Sequence, residues 1–77
     1  MSVVLEKVTE ILVDQLGVNS SDVALETDIQ NDLGADSIAV MEVIVEIESE
    51  FGITVPEEDL LEVKTVGDIV ARIEAAQ

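Results

Sequence analysis

The sequence contains no histidine, no cysteine, no tryptophan and no tyrosine, and it has one phenylalanine and one proline. Without His or Cys there is no usual general base, no thiolate nucleophile, no disulfide and no ordinary zinc site, and a Ser-His-Asp triad is excluded. Positive charge is almost as scarce: 3 Lys and Arg stand against 18 Asp and Glu, a net charge of -15. That imbalance argues against nucleic acid and anionic membrane surfaces as partners, and it makes proteins carrying Lys and Arg patches the expected ones. No stretch approaches a membrane span, and the opening MSVVLEK lacks the charged region and apolar run of a secretory signal. A soluble, cytoplasmic, monomeric protein is expected.

What the chain does have is 77 residues of mostly aliphatic and acidic character. A chain of this length is read as one domain, residues 1–77, that buries only roughly 60% of its unfolded surface and has no room for a deep enzyme cleft. It starts at Met1 and stops just after its last predicted helix, so a free-standing protein rather than a module of a larger one is expected. It shows no repeats, low-complexity segments or linkers.

The organising stretch is residues 32–51, DLGADSIAVMEVIVEIESEF. Asp36 suits a helix N-cap, since its short carboxylate can accept from an unpaired N–H of the first turn. Ser37 then stands at the positive end of the backbone dipole, where an attached phosphate is favoured. Six β-branched residues argue for a strand, but about fifteen residues without Gly or Pro, capped before and followed by Gly52, favour a helix. On a helical wheel Val40, Val43, Ile44, Ile47 and Phe51 form the inner arc, with Glu42, Glu46, Ser49 and Glu50 outside it.

The remaining segments follow the same logic. Val4, Val8, Ile11, Leu12 and Leu16 predict an amphipathic helix over residues 2–16, with Ser2 as its cap and Gly17 as its stop. Residues 19–35 form a long connection, with a short turn at 22–25 and Val23, Leu25, Ile29 and Leu33 as its apolar pins. The acids at 28–32 lack the spacing and central Gly of a calcium loop, so no metal site is assigned. Pro56 opens a short third helix to about residue 62, with Leu60 or Leu61 inward. Thr65 and Asp68 form a capping box for a fourth helix, whose buried stripe is Val66, Ile69, Val70 and Ile73. Arg72 is expected to serve the negative end of that helix, and residues 74–77 to fray.

The run Asp32-Leu33-Gly34-Ala35-Asp36-Ser37-Ile38, the acidic helix after it, Gln15-Leu16-Gly17-Val18, and the Val55-Pro56 and Thr65-Val66 junctions resemble the acyl carrier protein family along essentially the whole chain. The resemblance implies an all-α, four-helix bundle with three main helices, one short helix and a long first loop. It also implies a carrier rather than an enzyme. A phosphopantetheinyl transferase, using coenzyme A and Mg²⁺, joins 4′-phosphopantetheine to the Ser37 hydroxyl, and the arm's thiol then holds acyl groups as thioesters for fatty acid synthesis enzymes. Asp36 plays a supporting part beside its capping role. Glu42 and Glu48, with Ile38 and Val45 and with Met41 at the inner edge, make the face that meets basic patches on those enzymes.

Each of these roles has a plainer alternative. Ser37 is also an ordinary helix-start serine, and the acids also a solvated face. The family often carries an acid two positions after the serine, where this chain has Ala39, which leaves open a carrier for polyketide, specialised lipid or aminoacyl substrates. A non-carrier acidic interaction module is the alternative of another class. The aliphatic interior also predicts that the second and fourth helices part around an acyl chain near Ile44 and Ile69.

Overall fold

A computed structural model describes residues 3–77. Its first helix, α1, spans Val3–Leu16 and buries Val8 and Leu12, while Val4, Ile11 and Leu16 pack at the edge of the same core. Ser2 and its expected cap lie outside the described residues. The Gly17 N–H donates to Val13 O at 2.9 Å, and the residue's φ of 70° is a conformation that glycine adopts without strain.

Helix α2, Ser37–Phe51, is the longest element, and the expected arc is its inner face: Val40, Val43, Ile44 and Ile47 are buried, with Phe51 packed beside them. Asp36 caps it as read from the sequence, its carboxylate accepting from Ala39 N–H at 2.8 Å. At the other end the Gly52 and Ile53 N–H groups both turn back to Glu48 O, so the Gly after the run ends the helix in a left-handed turn. Burial of each large aliphatic side chain contributes about 1.5–3 kcal/mol, enough for packing to override the weak helix propensity of the Val and Ile residues.

The third helix, α3, is shorter than expected. It covers Glu57–Leu60, with Pro56 as its N-cap rather than its first residue. Leu60 packs against the core, whereas Leu61 is 85% exposed. Helix α4, Val66–Ala76, carries the predicted stripe Val66, Ile69, Val70 and Ile73, all buried. Its capping box is complete: the Thr65 hydroxyl accepts from Asp68 N–H, and Asp68 Oδ2 accepts from the N–H groups of Thr65 and Lys64. Two expectations give way here. The helix continues to Ala76, with the Gln77 N–H bonded to Ile73 O. Arg72 reaches sideways to α3 and the turn after it instead of serving the helix end, pairing with Asp59 at 3.9 Å and Glu62 at 3.1 Å.

Among the described residues there is no β-strand. α1 makes the close helix contacts with both α2 and α4. The long connection holds a short 3₁₀ turn at Ser20–Asp22, a little before the expected position. Ile29 is its deepest pin and Val23 and Leu33 are partly buried, but Leu25 is 48% exposed and pins nothing with its side chain. Leu25 acts through its backbone, its carbonyl accepting from Gly67 N–H at 2.8 Å. A Cβ on Gly67 would stand 3.0 Å from that carbonyl oxygen. Further cross-links, Val66 N–H to Thr27 O and Ile29 N–H to Lys64 O, accompany an isolated antiparallel bridge between Asp28 and Thr65. The buried Thr27 hydroxyl also ties the loop to itself, donating to Asp22 O and accepting from Ala24 N–H.

Candidate functional site

The start of α2 is held from both sides. Ala35, just before the cap, is buried and its N–H donates to Ile29 O. Gly34 has a φ of 74°, the left-handed turn that lets the chain leave the loop and enter the helix. Asp36 takes the Ala39 N–H, which leaves the N–H groups of Ser37 and Ile38 at the positive end of the helix dipole. Ser37 is exposed, so its hydroxyl is accessible to another protein.

Beside Ser37 lies an open groove of about 550 Å³. One wall is α2, through Ser37, Val40 and Met41, and the other is α3 and the segment after it, through Leu60, Leu61 and Val63. Gln30, Glu57, Glu58 and Lys64 add the polar margin. Ile44 and Ile69, the expected flanks of a lipid-accepting gap, are both buried in the core and do not line this groove.

A second groove, of about 490 Å³, runs along the outer face of α2. It brings together Ile38, Met41, Glu42 and Val45 with two residues that the sequence reading left out, Gln15 and Glu46. Ile38, Met41 and Val45 are 68%, 51% and 62% exposed. Three apolar side chains left in water on one acidic helix make an amphipathic surface. Met41 borders both grooves. Glu48 stands apart from the other four: it is partly buried, outside the groove lining, and its Oε2 accepts from Val55 N–H at 2.8 Å.

Two acids are perturbed, and both are structural. The Asn31 backbone N–H holds the Asp28 carboxyl below the usual range against partial desolvation, helped by the Asn31 side chain and, at longer range, by Lys64. The Lys64 and Thr65 N–H groups lower Asp68 in the same way, with the charge of Arg72 adding to them. Asp32 Oδ2 meanwhile accepts from Asp28 N–H, so the acids of this loop organise their own turn. No cluster of carboxylates suited to a metal ion occurs among the described residues.

The family model described as phosphopantetheine attachment site matches residues 6–73. Among solved structures, the chain is similar to an acyl carrier protein from Enterococcus faecalis, with 38% identity, a TM-score of 0.81, and coverage of 96% of this chain and 94% of that one. It is also similar to an acyl carrier protein from Thermotoga maritima, at 25% identity and a TM-score of 0.81, covering 92% and 82% of the two chains. A hexanoyl form of the acyl carrier protein of the actinorhodin polyketide synthase from Streptomyces coelicolor matches at 27% identity and a TM-score of 0.79, covering 92% and 86%.

Proposed function

The chain belongs to the phosphopantetheine-bearing acyl carrier proteins, which are carriers and not enzymes, and on that premise we propose that Ser37 bears the arm and that the cargo is the acyl intermediates of fatty acid synthesis. The observation that carries this reading is the exposed Ser37 at the start of α2, bordering a groove with apolar walls. The residues present fit a phosphodiester: the N–H groups of Ser37 and Ile38 and the helix dipole favour an anion there. When bound, 4′-phosphopantetheine supplies the thiol that this Cys-free chain lacks, and with it the thioester linkage.

Attachment is a phosphoryl transfer from coenzyme A carried out by a phosphopantetheinyl transferase with Mg²⁺. The Ser37 oxygen forms the new P–O bond, the pyrophosphate bond of coenzyme A breaks, the nucleotide portion leaves, and the hydroxyl proton passes to the transferase or solvent. Asp36 supports the step by fixing the first turn that presents Ser37. The outer face of α2, with Ile38, Met41, Glu42 and Val45 joined by Gln15 and Glu46, is the docking surface for the transferase and for synthase enzymes with basic patches. Charge attraction speeds such encounters while exposed ion pairs add little lasting affinity, so the partners release readily. Glu48 contributes charge to this face but is committed mainly to Val55. The acyl group is sheltered in the groove between α2 and α3, whose walls are open, rather than between α2 and α4, where Ile44 and Ile69 close the core. Among the described residues no helix is long and apolar enough to cross a membrane.

A polyketide carrier is the second reading, favoured by Ala39, which packs at the edge of the core where relatives often place an acid. Intact mass after incubation with coenzyme A, Mg²⁺ and a broad-specificity transferase tests the attachment. The mass is expected to rise by one phosphopantetheine in the wild type and not in Ser37→Ala. No rise, or an equal rise in the variant, defeats the assignment.

A further inference from the structure

The chain's three cations are not equivalent. Lys7 pairs with Glu10 and Glu50, and Arg72 pairs with Asp59 and Glu62. Lys64 makes no such pair among the described residues; Asp28 acts on it only at longer range. It is also the one basic residue lining the groove that Ser37 borders.

The backbone brings Lys64 toward Ser37. Lys64 O accepts from Ile29 N–H at 2.9 Å, and Ile29 O accepts from Ala35 N–H at 3.2 Å, so two hydrogen bonds link Lys64 to the chain just ahead of Ser37. The flexible stem of a lysine then has the groove in front of it, and its compact ammonium suits a phosphate as a point charge. A phosphodiester fixed at Ser37 adds negative charge to a chain already at -15, beside a groove that Glu57 and Glu58 also border. Lys64 is the groove's means of offsetting it.

We infer that Lys64 pairs with the phosphodiester of the arm on Ser37 and thereby holds the arm along the groove between α2 and α3. This rests on the attachment reading above, and it assigns to Lys64 a role that the sequence reading did not. The anion is the diester itself, present whatever the cargo; a carboxylate on a dicarboxylic acyl group is the competing source.

The test is NMR of the lysine side chains and of ³¹P in the unmodified and modified protein, with intact mass reported for every sample. On modification the Lys64 Hε–Cε resonance is expected to shift more than that of Lys7, and the shift to shrink between about 20 mM and 0.5 M salt as screening sets in. The ³¹P resonance is expected to move in modified Lys64→Gln and to stay near the wild-type position in Lys64→Arg. Lys64→Gln is also expected to reduce the occupancy of the groove by the arm about two- to fivefold, read from methyl shifts of Met41 and Val63. Loading butyryl and then succinyl groups separates the two anions. A Lys64 shift already complete before loading supports the diester; a shift that appears only with succinyl, or never, overturns the pairing. A mass that does not rise overturns the attachment reading itself, and is distinguished from those outcomes by that measurement alone.

Discussion

Substitution of Glu48 separates two roles that one carboxylate holds. Its Oε2 accepts from Val55 N–H at 2.8 Å, and Val55 is buried, so removing the acceptor leaves a donor cut off from water. An unsatisfied buried donor costs about 1–3 kcal/mol. Glu48→Ala regains a few tenths of a kcal/mol in helix propensity. Loss of a negative charge in the last turn of α2 is favourable by about 0.3–1 kcal/mol. Glu48→Gln shares that relief of charge and keeps an amide oxygen for Val55, so comparing the two variants isolates the hydrogen bond. Glu48→Ala is expected to be less stable than Glu48→Gln by about 1.5 kcal/mol, which for a domain of this size is about 6–12 °C in Tm. Thermal and urea unfolding followed by circular dichroism measure it, with Glu48→Gln at or slightly above the wild type. Equal stability of the two variants would refute the structural role and return Glu48 to the docking face.

Asp68→Ala is expected to cost about 1–2 kcal/mol at pH 7, because Lys64 and Thr65 lose their common acceptor. The Asp68 carboxyl is held below its usual value, so its contribution is complete above the unfolded value of about 3.9 and is lost as the pH falls through the lower folded value. Urea titrations should therefore show a constant gap between variant and wild type from pH 8 to 5 that closes below about pH 4; a gap that closes near neutrality contradicts the assignment. Arg72→Gln is expected to lower global stability by less than about 1 kcal/mol, since its pairs with Asp59 and Glu62 are at least partly exposed. Amide exchange at Glu62 and Val63 should nevertheless quicken relative to α1 and α2, and unchanged protection there rules out a clamp on α3.

Much of the fold is written locally. Asp36 and Gly52 bound α2, Thr65 and Asp68 open α4, and the apolar stripes of α1, α2 and α4 are their buried faces. The position of Ser37 at the start of α2 needs only the turn before it and the helix after it to be read. The misread residues are those whose partners lie far along the chain. Leu25 looks like an apolar pin, but its carbonyl is what the fold uses, at a glycine some forty residues on. Arg72 sits near the end of a helix, yet Asp59 in α3 and Glu62 just after it offer it nearer charges than the helix dipole does. Glu48 resembles its exposed neighbours until Val55 folds back over it. The α2–α3 groove has no sequence signature, because its walls come from segments that only the folded chain sets side by side.

The bridge between Asp28 and Thr65 has a mechanical consequence. With the Ile29 N–H to Lys64 O bond beside it, it stitches the loop that precedes α2 to the strap that precedes α4, and so ties together the backbone that carries Gln30 and Lys64 at the polar margin of the groove. On the other side stands the short α3, held to the core by Leu60 and to α4 by the pairing of Asp59 with Arg72. A group lying in the groove therefore meets one margin whose backbone is cross-linked and another held by side-chain packing and an ion pair.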